Sequence, residues 1–155
     1  MNEEEIKEKL RNYAKILNSL YSAGVVRTYN SPVGDYAEWI VSKKSGLELR
    51  KNSAAGFDAL DKNTGLRYQV KSRWMHPGKN SRQLNVIRNF EKKPFAYLIA
   101  VIFGVSFDVE ESYQIPYEII RRYFPQNKHQ NGIVVTLTND FVRDPQVQDI
   151  RAKLV

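Results

Sequence analysis

The 155-residue chain contains no cysteine. That excludes disulfides, thiolate catalysis and cysteine-ligated zinc, and it fits a reducing, cytoplasmic setting. Histidine is scarce, with only His76 and His129. His76 falls in a loop, where it could touch a nucleic acid, assist a water molecule or do neither; His129 is read as incidental. Long apolar runs are missing too. The longest, 96–103, is far shorter than the roughly 20 residues of a membrane-spanning helix. The first residues, Met1-Asn2-Glu3-Glu4-Glu5, are acidic and have no apolar signal core. There is no Ser/His/Asp pattern, P-loop or dinucleotide fingerprint, so no nucleotide cofactor is expected. Acids are scarce in one stretch only. Residues 67–93 carry Arg67, Lys71, Arg73, Lys79, Arg82, Arg88, Lys92 and Lys93 against the single acid Glu91, so this segment alone accounts for the chain's net charge of +7. A local basic field of this kind suits a polyanion such as nucleic acid, or else is a solvated basic face.

What is present is a globular composition, 42% hydrophobic and 12% aromatic. It predicts one domain over 1–155, with no repeat, linker or low-complexity segment. Ile6, Leu10, Tyr13, Ile16, Leu17, Leu20 and Tyr21 keep helical spacing, predicting a helix over 3–22. Ser31-Pro32 opens a second helix with the stripe Val33, Tyr36, Ala37, Ile40 and Val41, closed by Gly46. Trp39 lies nearly opposite that stripe, either under the first helix or at a subunit contact. A strand follows at 47–50, then a hairpin of 56–61 and 66–74. Ser81 is expected to cap a short helix carrying Leu84, Ile87 and Phe90. The run 96–103 reads as the central strand and 111–115 as another. Pro116 starts a helix through Tyr123, 132–138 is a late strand, and 144–154 a closing helix. The order predicts an α/β layered domain with a mixed sheet.

The hairpin holds the chemistry. Lys62-Asn63-Thr64-Gly65 is a four-residue loop of turn formers. It sets Asp61 against Leu66 and Asp58 directly opposite Gln69. Along 67–74 alternate side chains share a face, so Tyr68, Val70, Ser72 and Trp74 point one way and Arg67, Gln69, Lys71 and Arg73 the other. Asp58, Gln69 and Lys71 then converge on one patch. The plain alternative is a cross-strand ion pair on an ordinary surface. Asp61 alternates with Asp58 and is read as a turn residue. Tyr36, Tyr68 and Tyr97 are assigned to the core, and Trp74 to packing at a strand end.

Asp58 with Gln69-Val70-Lys71, preceded by Glu38 in Gly34-Asp35-Tyr36-Ala37-Glu38-Trp39, resembles the signature of the PD-(D/E)XK nuclease superfamily. That signature has an aspartate on the second core strand, and an acid, any residue and lysine on the third. Ser81-Arg82-Gln83-Leu84 followed by Ile87-Arg88 also looks like a motif of a small branch of that superfamily. The resemblance covers 31–123. It implies a restriction endonuclease-like αβββαβ core, with a mixed sheet flanked by helices, and hydrolysis of DNA phosphodiesters, RNA remaining open. It implies Mg²⁺, with Mn²⁺ as substitute, held by Glu38, Asp58, Gln69 and the Val70 carbonyl, and Lys71 acting on the water. Arg73, Lys79, Arg82, Arg88, Lys92 and Lys93 are the expected nucleic-acid contacts. A homodimer is expected, one site for each strand. Glutamine at 69 departs from the pattern and removes one negative charge from the metal site, which leaves a non-catalytic DNA-binding or protein-interaction domain as the alternative.

Overall fold

The computed structural model describes residues 1–50, 56–125 and 132–155; His129 lies outside them. Helix α1 spans Glu3–Ser22 and α2 Pro32–Ser45. Strands β1 (Glu48–Leu49), β2 (Ala59–Leu60) and β3 (Arg67–Trp74) form an antiparallel meander. β5 (Tyr97–Phe103) then pairs parallel to β3, and β6 (Val109–Pro116) and β8 (Gln148–Asp149) add antiparallel beyond it. The main sheet therefore has six strands in the order β1-β2-β3-β5-β6-β8. Two short strands, β4 (Ile87–Arg88) and β7 (Gly132–Ile133), pair separately. Helices α3 (Tyr117–Tyr123), α4 (Asn139–Val142) and α5 (Arg151–Leu154) complete the described elements.

β5 is the core of the molecule. Its alternate residues enter two separate apolar clusters, as expected of a strand buried on both faces. Leu98, Ala100 and Ile102 pack with Leu84, Phe90, Ile119 and Phe141. Ile99, Val101 and Phe103 pack with Ala37, Ile40 and Val41 of α2. The stripe expected of α2 is thus the one that covers the sheet. Gly46 ends this helix at φ 69°, in the left-handed region that a side chain disfavours. Trp39 packs half-buried against this second cluster, its ring 6.1 Å from that of Tyr36.

Several expectations change, and the strand expected over 56–61 is reduced to β2. Residues 81–89 form no α-helix: the segment runs extended, with a bridge from Gln83 to Thr136, strand β4, and a 3₁₀ turn at Phe90–Lys92. Val86-Ile87 is β-branched and Asn89 sits at φ 52°, both adverse to a helix, while 132–137 supplies backbone partners. The approach of β4 and β7 is close enough that a Cβ on Gly132 would lie 2.4 Å from the Ile87 carbonyl oxygen. The crossover from β3 to β5 consequently has no α-helix, where the αβββαβ core would have one. The late strand shrinks to β7. The closing helix is reduced to α5, because 148–149 instead pair with β6 and satisfy its outer edge.

α1 also departs from its pattern. A capping box between Asn2 and Glu5 starts it. Of its apolar stripe only Leu17 is buried, and Leu10 is 62% and Ile16 59% exposed. No helix among the described residues is long and apolar enough to cross a membrane.

Candidate active site

The hairpin register is the expected one. Leu60 faces Arg67 and Ala59 faces Tyr68, which sets Asp58 opposite Gln69. Asp61 serves the turn: its carboxylate accepts from the Asn63 amide at 2.8 Å, and its own N–H closes the hairpin on the Leu66 carbonyl at 2.9 Å.

The regular ladder stops at Ala59, the Asp58 N–H still donating to the Tyr68 carbonyl at 2.8 Å, and there the site begins. β3 continues past the end of β2, and the next N–H on that edge, that of Val70, meets no strand among the described residues. The Asp58 carboxylate takes that place, accepting from Val70 N–H at 2.8 Å through Oδ2. The Gln69 side-chain amide donates to the same oxygen. In an extended strand the N–H and C=O of one residue leave by the same edge. The Val70 carbonyl therefore faces the same gap, while its side chain is buried on the α2 side.

Burial pushes the Asp58 carboxyl above its ordinary value; the Val70 N–H and the charges of Lys71 and Arg27 oppose that rise. Lys71 is half-buried, with no hydrogen bond or ion pair to its ammonium among the described residues. Asp58, Gln69 and Lys71 are thus brought together as the alternation implied.

Glu38 reaches the same neighbourhood through a residue that sequence reasoning missed. Arg27, in the turn between α1 and α2, forms an ion pair with Glu38 and donates to the Arg50 carbonyl at 2.8 Å. Its backbone is fixed by Asp35 in the first turn of α2. One Asp35 oxygen accepts from the N–H groups of Arg27 (2.9 Å) and Thr28 (2.8 Å) and from the Thr28 hydroxyl (2.9 Å). Ser31, expected to cap α2, makes no side-chain cap bond. An acid in a first helical turn is a readable signal for Asp35. For Arg27 no spacing rule exists, because a loop residue and a helix residue eleven positions apart carry no common period.

The basic residues divide. Arg73, Lys79, Arg88 and Lys92 keep their charged groups without a hydrogen bond or ion pair among the described residues. Arg82 is committed elsewhere: it pairs with Glu111 at 2.5 Å and Asn139 at 3.1 Å. Glu111 in turn accepts from the Tyr113 hydroxyl at 2.9 Å, and burial with that hydrogen bond pushes Tyr113 up to about 12. Lys93 pairs with Glu118 at 2.5 Å. Trp74 packs as expected, stacked on Phe107 at 4.8 Å with its indole N–H on the Val105 carbonyl. His76 turns its Nδ1 to the neighbouring Pro77 carbonyl.

The donor set suits a hard divalent cation. Among the described residues no three His, Cys, Asp or Glu side chains cluster as ligands. Asp58 and Glu38 carry carboxylate oxygens, and Gln69 and Val70 an amide and a carbonyl oxygen; these are the donor types Mg²⁺ ordinarily takes, with water and substrate phosphate completing its shell. The chain matches no protein-family model, and no curated protein shares significant similarity with it.

Proposed function

We propose that the chain is a divalent-metal-dependent nuclease acting on DNA, on a restriction endonuclease-like fold, working on duplexes as a homodimer with one site per strand. The observation that carries this reading is the half-buried Asp58 carboxylate at the point where β2 leaves β3, beside the Lys71 ammonium, which has no hydrogen bond or ion pair among the described residues. The succession of α2, an antiparallel meander and a parallel fourth strand supports the fold, and the helix-free crossover departs from it.

In this reading Asp58, Glu38, the Gln69 amide oxygen and the Val70 carbonyl would hold the cation, which would supply Lewis acidity. Lys71 would orient an attacking water and stabilise negative charge developing on the phosphate. Arg73 follows Lys71 on the same strand face and holds a neighbouring phosphate, with Lys79, Arg88 and Lys92 extending the basic track. Arg82 braces the crossover segment against β6, so its contribution to nucleic acid is indirect.

A second reading rests on one observation: the Gln69 amide donates to Asp58 where the signature has an acid, and Glu38 is already paired. It makes the domain a DNA-binding module without catalysis. Wild type and Lys71→Ala, incubated with plasmid, branched and single-stranded DNA and with RNA in Mg²⁺, Mn²⁺ or EDTA, separate the two. Metal-dependent cleavage that disappears with Lys71 is expected. Salt-sensitive binding by both proteins without cleavage of any substrate would replace the nuclease with the binding module.

A further inference from the structure

Glu38 and Asp58 contribute two negative charges to the site, and Arg27 and Lys71 two positive ones. As folded, the cluster is balanced before any cation arrives. The Arg27 guanidinium stands against one of the two carboxylates a cation needs, and its charge also acts on the other. We infer that Arg27 is the residue that admits the divalent cation: its side chain occupies Glu38 in the nucleic-acid-free protein and releases it when a backbone phosphate draws the guanidinium away. This rests on reading the site as a cation site and adds to it a positioning residue outside the expected signature.

The geometry gives the two halves of this device different freedoms. The backbone of Arg27 is tethered, because one Asp35 oxygen accepts from its N–H and from that of Thr28. The side chain can: it is 37% exposed, whereas Glu38 is 17% exposed. The guanidinium thus lies on the solvent side of the pair and the carboxylate on the inner side. A guanidinium binds phosphate through a two-armed fork, so a phosphodiester can replace both bonds that Arg27 surrenders, one to Glu38 and one to the Arg50 carbonyl. The exchange also balances charge. A divalent cation entering while Arg27 stays leaves the cluster at +2; if the guanidinium swings out onto a phosphate, the cluster falls to +1 and Glu38 is released from its ion pair.

The test is Mn²⁺ affinity by isothermal titration calorimetry on the whole chain without nucleic acid, so that it does not depend on cleavage. Wild type, Arg27→Gln, Arg27→Lys and Asp58→Asn are compared after thermal melting has established that each is folded. Arg27→Gln is expected to bind Mn²⁺ about ten-fold or more tighter than wild type, the scale of removing one like charge a few ångströms from the ion. Arg27→Lys keeps the charge without the fork and falls between them. Asp58→Asn loses the binding. Folded Arg27→Gln with affinity equal to or below wild type overturns the role of Arg27 and leaves the cation site standing. No Mn²⁺ binding by either wild type or Arg27→Gln overturns both. Should Arg27→Gln fail to fold, Arg27→Lys decides: affinity above wild type supports the inference, and affinity unchanged from wild type overturns it.

Discussion

The two ends of the short strand β2 carry aspartates three residues apart, and they have opposite fates. At the turn end, Asp61 lies at the surface, and hydrogen bonds from Thr64 and Asn63 hold its carboxyl below the ordinary value. At the open end, Asp58 is half-buried, and the loss of hydration that this brings holds its carboxyl above it. The residue type is the same and the strand is the same. The difference comes from what each carboxylate replaces. Asp61 organises a loop that water already solvates. Asp58 stands in for a missing strand, accepting an N–H of β3 that β2 no longer reaches. A sheet that parts leaves polar backbone needing a partner, and the side chain that supplies one is held rigidly beside the gap. Such a position can host chemistry, and a turn with free access to water has no comparable hold on its surroundings.

The strongest way to break this comparison is to neutralise each aspartate in turn. Asp58→Asn should reduce metal-dependent cleavage by about 10³-fold or more, while its amide oxygen still accepts from Val70 and keeps stability within about 1 kcal/mol. Asp61→Asn should leave cleavage at the wild-type rate and lower the melting temperature slightly. Equal losses of cleavage in both variants would erase the distinction between the two ends.

Gln69→Glu sharpens it. A second carboxylate facing Asp58 replaces a donated hydrogen bond with like-charge repulsion, so the metal-free variant should lose about 1–2 kcal/mol in urea unfolding. Mn²⁺ should restore more stability to this variant than it adds to the wild type. A variant as stable as wild type without metal would show that the Gln69–Asp58 bond is dispensable.

The smallest expected effect is in the pH dependence, and its two signs are opposite. The raised carboxyl of Asp58 binds its proton more tightly in the folded chain, so its contribution to stability is present below the ordinary value of 3.8 and is lost as pH rises through the higher native value. Asp61 is lowered, so its contribution is present above 3.8 and lost as pH falls through the lower native value. Carboxyl-carbon NMR titration should find Asp58 titrating above Asp61. The reverse order would remove the physical basis of the contrast.

Much of this hairpin was legible in the amino-acid order. A four-residue turn and strict alternation allow one register, and that register determines which side chains share a face. The second helix was legible for a similar reason: its apolar stripe, Pro32 and Gly46 agree with one another. The crossover was not. Leu84, Ile87 and Phe90 recur every three residues, a spacing that fits a helix as well as an extended segment touching the core at intervals. The backbone partner that decides the matter lies some 50 residues later in sequence, at 132–137. Arg27 was hidden for the same reason, because its contact with Glu38 depends on how a loop lies across a helix. Residues 148–149 followed the unfilled edge of β6 and not their local helical pattern.

The helix-free crossover has a consequence for the order in which the molecule assembles. β3 and β5 pair in parallel along 68–74 and 97–103, and between them the chain offers only short extended pieces and one 3₁₀ turn. Closing that loop costs entropy before any contact rewards it, and no helix forms early to shorten the search. The β2–β3 hairpin is local and can form first, carrying Asp58 and Gln69 together. The wall beside Lys71 arrives only with β5. Pulse-labelled hydrogen exchange during refolding should therefore protect β3 amides bonded to β2 before those bonded to β5. The acid and the amide would then meet early, and the nascent protein would complete the patch around Lys71 only at its slowest, most non-local step.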